Sequence, residues 1–318
     1  MNKIIRIGTR ESQLAVWQAS LVQNSLAKNN IASELIYIKS EGDIDLQTPL
    51  YEIGVTGIFT RSLDIALINN KIDIAVHSMK DVPTQLANGI VQTAILKRAS
   101  YKDIFVYKGS LPSISEQLGY ENEQWILPDN QPFTIATSSI RRMAQWLNRY
   151  PQHHIENLRG NVNTRLRKVT ENNWNGAIFA AAGLERIGLR PSNAIDLDWM
   201  LPAPAQGAIM IVCRDNDDFC FAACQALNDK DTAICTKIER DFLKTLLGGC
   251  STPISALALI KDGSINFEGN ILSTDGKEKV SITNSIATSN FEHAGKIWAQ
   301  EILKNGGKEI AEGIRNAK

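Results

Sequence analysis

Four segments of the sequence place hydroxyl, basic or acidic side chains directly after a predicted strand. They are residues 9–12 (TRES), 77–83 (HSMKDVP), 137–142 (TSSIRR) and 159–165 (RGNVNTR). Three of them also begin a predicted helix, where free N–H groups and the positive end of the helix dipole attract anions. Arginine adds a planar fork that matches a carboxylate or a phosphate. This pattern is typical of a site for an anionic ligand.

The later segments are strongly basic. Between residues 136 and 170 the only acidic residue, Glu156, stands against a run of basic ones, which are Arg141, Arg142, Arg149, Arg159, Arg165, Arg167 and Lys168. A single arginine of this kind is more often a solvated surface charge. In open α/β sheets, however, ligands bind beyond the carboxyl ends of the strands, so four such ends face one cleft. Together the segments predict a cleft that holds a polyanion.

Asp81 is a carboxylate among these cations. One interpretation is structural, with Asp81 capping a turn before Pro83. The functional interpretation is a group that moves protons and stabilises a cationic intermediate.

The cysteines are odd in number and all lie in the last third of the chain: Cys213, Cys220, Cys224, Cys235 and Cys250. We expect reduced thiols. Cys220 and Cys224 have the spacing of a metal clip, but no second pair or nearby histidine completes it, so no metal is expected. Cys250 follows two glycines, which permit close approach of a bulky group. A lone loop cysteine is nevertheless more often incidental than reactive.

Hydrophobic periodicity places these residues on a framework of alternating strands and helices. A β-α-β-α-β order spans residues 3–76 and predicts a mostly parallel sheet with helices on both faces. The order recurs over residues 134–180, after a stretch at 108–132 that is predicted to be rich in loops. Two prolines make residues 201–207 a non-helical crossover. From about residue 232, a helix, three alternating strands and a last helix predict a small α+β domain.

Composition narrows the class of protein. The chain has 318 residues, and 34 Lys plus Arg balance 34 Asp plus Glu. This balance argues against a nucleic-acid-binding protein. The N-terminal residues lack the apolar core of a signal peptide, and no apolar run is long enough to span a bilayer. We therefore expect a cytoplasmic enzyme or binding protein without a membrane or nucleic-acid partner.

The motifs taken in order resemble those of the porphobilinogen deaminase (hydroxymethylbilane synthase) family. They are residues 7–12 (IGTRES) with 14–19 (LAVWQA), 73–83 (DIAVHSMKDVP), 137–142 (TSSIRR), 158–162 (LRGNV), 182–186 (AGLER), 206–208 (QGA) and 248–250 (GGC). Each motif alone is weak, but their order and spacing match over almost the whole chain. The combination is therefore highly specific.

The resemblance implies two α/β lobes like those of periplasmic binding proteins, plus a small C-terminal α+β domain. The first lobe is expected to comprise residues 1–99 and 206–228, and the second residues 100–205. The C-terminal domain, residues 229–318, would carry the loop with Cys250. A monomer is expected from the same resemblance.

The resemblance also assigns roles to residues. Cys250 matches the cysteine that holds a dipyrromethane cofactor through a thioether, and Asp81 matches the catalytic carboxylate. The further cofactor contacts that it implies are Ser12, Lys80, Asp81, Thr137, Ser138, Ser139, Gly160, Arg141, Arg142 and Arg165. The substrate contacts that it implies are Arg10, Ser12, Arg159, Arg165, Arg186 and Gln206.

The chemistry implied by the family suits these residue types. Porphobilinogen loses ammonia to give a cation, which the free α-carbon of the enzyme-bound chain attacks before a ring proton leaves. Four additions and a hydrolysis release the linear tetrapyrrole hydroxymethylbilane, while the cofactor stays attached. Every pyrrole brings two carboxylates, so the growing chain needs many cationic partners.

Three positions depart from the family pattern. Gln13 stands where a proline is common, Thr56 where a lysine is usual, and Glu41 where an arginine is frequent. Two basic contacts at the mouth of the cleft are therefore expected to be missing.

Two alternatives come from other classes of protein. The first is a non-catalytic, two-lobed cytosolic protein that binds a polyanion. The second is a ligand-sensing domain of a regulator, although no DNA-binding motif is evident. Intact mass separates catalysis from binding, because a binding protein would show the mass of its sequence alone.

Overall fold

The computed structural model describes residues 3–39, 60–125, 133–246 and 252–316. Its strands are β1 (Ile5–Thr9), β2 (Ser33–Tyr37), β3 (Ile74–Ser78), β4 (Ile90–Ile95), β5 (Asp103–Tyr107), β6 (Tyr120–Glu121), β7 (Gln124–Trp125), β8 (Thr134–Ala136), β9 (His154–Glu156), β10 (Gly176–Ala180), β11 (Ala194–Asp196), β12 (Ile209–Arg214), β13 (Ile254–Lys261), β14 (Ser264–Leu272) and β15 (Lys279–Ala287). Its α-helices are α1 (Gln13–Lys28), α2 (Arg61–Ile68), α3 (Pro112–Leu118), α4 (Ile140–Arg149), α5 (Val162–Glu171), α6 (Ala181–Glu185), α7 (Asp218–Gln225), α8 (Lys230–Thr245), α9 (Ala294–Ile302) and α10 (Lys308–Asn316). A 3-10 turn, Met79–Asp81, follows β3.

The first lobe is built on a five-stranded sheet with the order β2-β1-β3-β12-β4. Strand β1 is parallel to β2 and β3, whereas β12 is antiparallel to both β3 and β4. One face packs against α1 and α7 through residues such as Val22 and Cys220. The other face packs against α2 through Leu63 and Leu67. The predicted mostly parallel sheet with helices on both faces is confirmed.

The second lobe repeats this plan with the strand order β11-β5-β10-β8-β9. Strand β8 is parallel to β9 and β10, and β5 is antiparallel to β10 and β11. An aromatic cluster that includes Phe105 and Trp146 fills one side, and Leu158 and Phe179 lie on the other. In each lobe the antiparallel strand is the one that the chain forms on arrival from the other lobe.

The C-terminal domain is a three-stranded antiparallel sheet, β13-β14-β15, covered by α8, α9 and α10. Phe242 of α8 packs against Phe267 of β14, which stacks on Trp298 of α9 with ring centroids 4.6 Å apart. The predicted fold class, two α/β lobes and a small α+β domain, is therefore confirmed.

The stretch at residues 108–132 was predicted to be rich in loops, and this is wrong for residues 112–125. Helix α3 and the short hairpin β6-β7 occupy it. The helix has only seven residues and begins with a proline, so its apolar residues, Ile114 and Leu118, are too few to give a helical pattern. In the part of the chain that the structure describes, no helix is long and apolar enough to cross a bilayer.

Candidate active site

Asp81 lies in the 3-10 turn that follows β3, beside its neighbour Lys80. Met79 and Val82 are buried in the first lobe, with 1% and 4% of their surface exposed. The Met79 amide donates to the Ala208 carbonyl at 3.0 Å, and the Val82 amide donates back to Met79 at 3.1 Å. Two buried apolar residues therefore fix the turn, and the half-buried Lys80 and Asp81 lie between them.

A chain of polar contacts runs from this turn into the second lobe. Lys80 donates through Nζ to Gln206 Oε1 at 3.3 Å, and Gln206 Nε2 donates to Asp103 Oδ1 at 2.9 Å. Gln206 Nε2 also donates to the Tyr101 carbonyl at 2.8 Å. Gln206 is fully buried, so these bonds are not shared with bulk water. The residue predicted as a substrate contact thus connects the two lobes.

Arg141 and Arg142, at the start of α4, both bind the buried carboxylate of Asp103. Arg141 Nη2 lies 2.8 Å from Asp103 Oδ2, and Arg142 Nη2 donates to Oδ1 at 2.8 Å. Burial would raise the pKa of Asp103, but the two guanidinium charges lower it to about 2. Arg141 also donates to the Leu201 carbonyl, and Arg142 to that of Ile178. The two guanidinium groups and the one carboxylate of this cluster therefore carry a net charge of +1.

Sequence reasoning missed Asp103, because it counted only the acidic residues between positions 136 and 170. Asp103 begins β5, which the sequence analysis did not identify, and it enters the site from the crossover between the lobes. A buried aspartate next to an apolar run was the available signal, since such a residue requires a cationic partner.

Arg165 and Arg159 form the other side of the cationic cluster. Arg165 Nε donates to the Gly160 carbonyl at 2.7 Å. Gly160 has a φ of +110°, and a Cβ there would lie 2.8 Å from Thr164 Cγ2, so the turn requires glycine. Burial lowers the pKa of Arg165 to about 10, helped by the charges of Arg142 and Arg159 and opposed by that of Asp81. Asp81 therefore lies close enough to Arg165 for their charges to interact.

The predicted hydroxyl contacts lie at strand ends and helix starts. Ser138 Oγ donates to the Leu158 carbonyl at 2.8 Å, and the Ser139 amide donates to Thr137 Oγ1 at 3.2 Å. Ser12 caps α1 by accepting from the Ala15 amide at 3.4 Å. These hydroxyls therefore already stabilise local turns.

Arg186 and Arg10 are the remaining arginines that were predicted to contact substrate. Arg186 donates to the Gly207 carbonyl at 2.6 Å and lies over the Trp17 ring, 5.8 Å from its centroid. Burial lowers its pKa to about 10. Arg10 follows β1, and its charge adds to burial in lowering the pKa of His77 to about 4. Arg10 thus lies near the end of β3, on the same lobe as Asp81.

Gln13, one of the departures from the family pattern, accepts a hydrogen bond from Asn163 Nδ2 of α5 at 3.0 Å. This contact joins the start of α1 in the first lobe to α5 in the second. Cys250, Thr56 and Glu41 lie outside the described residues.

The four described cysteines, Cys213, Cys220, Cys224 and Cys235, are buried free thiols. Burial raises the pKa of Cys213 to about 11 and that of each of the other three to about 12. A thiol with so high a pKa is a poor nucleophile near neutral pH. Among the described residues, no group of three or more His, Cys, Asp or Glu side chains is arranged to hold a metal ion.

The fold and the site together define a two-lobed protein in which a carboxylate-bearing turn of the first lobe is linked by polar contacts to arginines of the second lobe. The sequence matches the family model described as porphobilinogen deaminase, dipyromethane cofactor binding domain, over residues 5–221, and that of the porphobilinogen deaminase C-terminal domain over residues 233–304. The chain therefore belongs to the porphobilinogen deaminase family.

Curated relatives agree over nearly the full length. The porphobilinogen deaminase of Chlorobium phaeobacteroides is 37% identical over 325 residues, which cover 99% of each chain. That of Pelobacter propionicus is 38% identical and covers 98% of this chain and 97% of its own. The chloroplastic enzyme of Oryza sativa is 41% identical over 86% of this chain and 75% of its own. The alternative of a non-catalytic binding protein is not favoured.

Among solved structures, the VFT2 domain of Bordetella pertussis BvgS superposes with a TM-score of 0.41 at 11% identity. The superposition covers 70% of this chain and 85% of that domain.

Proposed function

We propose that this protein is a hydroxymethylbilane synthase, which condenses four porphobilinogen molecules onto a covalently bound dipyrromethane and then releases the linear tetrapyrrole by hydrolysis. Membership of the porphobilinogen deaminase family supports the reaction. The observation that carries the site assignment is the chain of polar contacts that runs from the Asp81 turn through Lys80 and Gln206 to Asp103 and its two arginines.

The donor chemistry of the cleft fits a dipyrromethane, because two linked pyrroles carry several carboxylates and the cleft has excess positive charge. We propose that Arg141, Arg142 and Arg165 bind these carboxylates, with Lys80 and the hydroxyls of Ser12, Thr137, Ser138 and Ser139, and that Gly160 keeps the approach open. The bound group supplies the nucleophilic α-carbon of the growing chain. The residues of the protein orient it, balance its charge and handle protons.

Asp81 has two tasks in this proposal. It first stabilises the positive charge that develops as the C–N bond of porphobilinogen breaks and ammonia leaves. After the new C–C bond forms, it accepts or directs the proton that the pyrrole ring loses. Lys80 lies beside Asp81 in the same turn and adds a positive charge to the site.

The incoming porphobilinogen is assigned to the cations of the first lobe and the lobe boundary. Arg10 lies on the lobe of Asp81, and Arg186 bonds to Gly207 next to Gln206. Arg159 and Arg165 are shared with the growing chain. We also propose a cytoplasmic monomer with the three domains bounded at residues 99/100, 205/206 and 228/229.

The intact mass of the protein tests this proposal directly. If Cys250 anchors the cofactor, the wild-type protein is heavier than its sequence by one dipyrromethane, and Cys250→Ser loses both that mass and the activity. Cys224→Ala is the matched control, because its buried thiol has a raised pKa and should keep both mass and activity. An unmodified wild type with full activity contradicts the proposal.

A further inference from the structure

Arg240, on α8 of the C-terminal domain, binds the main chain of the turn that carries Asp81. Its Nη1 donates to the Val82 carbonyl at 2.9 Å and to that of Met79 at 3.3 Å. Its Nη2 donates to the Pro83 carbonyl at 2.6 Å. One guanidinium thus binds the backbone on both sides of Asp81.

The turn leaves these three carbonyls outside the sheet ladder, although that of Met79 also accepts from the Val82 amide. A planar guanidinium with several fixed donors satisfies them in a single geometry, which a lysine ammonium cannot reproduce. The contact therefore restricts the path of the backbone from Met79 to Pro83, and with it the position of the Asp81 side chain.

Glu239, the residue before Arg240, holds helix α8 in place. The buried carboxylate of Glu239 accepts from Arg98 Nη1 at 2.6 Å and from the amides of Ala205 and Ala258 at 2.6 and 2.8 Å. Arg98 and Ala205 lie on the two crossovers between the lobes, and Ala258 lies on β13. Adjacent residues of α8 therefore bind the crossovers and the Asp81 turn.

We propose that Arg240 is a positioning residue for the reaction. From the C-terminal domain, it holds the carboxylate of Asp81, in the first lobe, in position next to the reacting pyrrole. This inference rests on the proposed catalytic role of Asp81. Arg240 does not act on substrate itself. It acts through the backbone of the turn, so its loss reduces turnover more than substrate affinity.

Arg240→Lys in the holoenzyme tests the inference, with the cofactor verified by intact mass. We expect kcat to fall by about tenfold or more, because small displacements of a catalytic group are costly, and KM to change by less than about twofold.

Arg214→Lys is the matched control. Arg214 likewise donates to two first-lobe carbonyls, those of Leu67 and Ile72, but it does so near the opposite end of β3. We expect it to lose thermal stability without loss of kcat. If Arg240→Lys lowers the melting temperature like the control and keeps wild-type kcat, Arg240 only joins domains and the inference is wrong.

A double-mutant cycle separates this inference from the proposed function. Asp81→Asn keeps the shape but cannot accept a proton, and should lower kcat by ~10²–10⁴-fold. If Arg240 acts through Asp81, adding Arg240→Lys to Asp81→Asn should reduce kcat little further. Fully additive losses would show that Arg240 acts independently and would overturn the inference alone. Near-normal kcat in Asp81→Asn would instead overturn the catalytic role proposed for Asp81, on which this inference rests, while the measured turnover would leave the proposed reaction intact.

Discussion

Lys80 is a half-buried cation whose charge depends on pH near the physiological range. Burial lowers the pKa of Lys80 to about 8, while the neighbouring Asp81 opposes this shift. The folded protein therefore binds fewer protons than the unfolded chain between about pH 8 and 10.5. The contribution of Lys80 to the free energy of unfolding rises with pH across that window. We expect the binding of an anionic ligand to follow the opposite trend, because a neutral amine no longer attracts carboxylates.

We predict that the unloaded protein assembles its cofactor more slowly as the pH rises through about 8, since Lys80 then loses its charge. Lys80→Arg keeps its charge and should shift this decline to higher pH. Intact mass against time, after addition of porphobilinogen at pH 7 to 9, measures the rate. Lys71→Arg, an exposed substitution in the same lobe, is the control. An unchanged midpoint in Lys80→Arg would assign the decline to another group.

At the residue scale the sequence identified the cations but not their partners. Arg141 and Arg142 were predicted as ligand contacts, and their binding to Asp103 could not be inferred because it joins residues 38 and 39 positions apart in the chain. The link from Lys80 to Gln206 spans 126 positions. Such pairs follow from the tertiary arrangement of strands, and a single sequence carries no local signal for them.

Among the elements, the turn between β14 and β15 shows how the C-terminal domain contacts the second lobe. Gly276 has a φ of +76°, and a Cβ there would lie 2.5 Å from the Ala144 carbonyl and 2.6 Å from the Asn148 amide of α4. Asn148 Nδ2 donates to the Gly276 carbonyl at 2.8 Å. The absence of a side chain at this position allows the two backbones to approach closely.

We predict that Gly276→Ala destabilises the protein by about 1–3 kcal/mol more than Gly263→Ala, because of overpacking against α4. Gly263 is the matched control, since it has a similar φ of +74° and no atom within 4 Å of an added Cβ. The strain of a positive φ is then common to both variants. Urea unfolding gives both free energies, and equal values would show that α4 moves away without cost.

The regular elements were predicted best where apolar residues recur over a long segment. The strand predicted to open the second repeat at residue 134 is β8, which begins at Thr134, and the helix predicted from about residue 232 is α8, which begins at Lys230. Strand β5 was not predicted. Its five residues are all buried, so the segment lacks the alternation of apolar and polar residues that indicates a half-buried strand. Its place between β10 and β11 depends on pairing with distant strands.

At the scale of the whole molecule, the two lobes present different cations to the cleft. Arg10 belongs to the lobe of Asp81, whereas Arg141 is held by Asp103 on the second lobe. Because the bound chain lengthens while the cleft stays finite, the two sides should meet carboxylates at different steps. The hypothesis assigns Arg141 to cofactor assembly and Arg10 to the incoming pyrrole.

We therefore expect Arg141→Leu to yield mostly protein without cofactor, and Arg10→Leu to yield loaded protein that stalls before or during elongation. Intact masses and native gels after limited porphobilinogen would resolve the covalent intermediates. Arg167→Leu is the control, because Arg167 is exposed and pairs only with Glu171 on its own helix among the ion pairs described. Normal loading and elongation in both variants would contradict the carboxylate assignment. If both variants lack the cofactor, only the division of roles between the arginines of the two lobes is contradicted.

The insertion of the second lobe between β4 and β12 of the first lobe sets the order in which the chain can fold during synthesis. All five strands of the second sheet lie within residues 103–196, so this sheet can form as soon as that stretch has left the ribosome. The other four strands of the first sheet are synthesised earlier, but the sheet lacks an interior strand, because β12 lies between β3 and β4 and ends at Arg214. The first lobe therefore cannot complete its sheet until residues 209–214 have been synthesised, and its unpaired strand edges need protection until then.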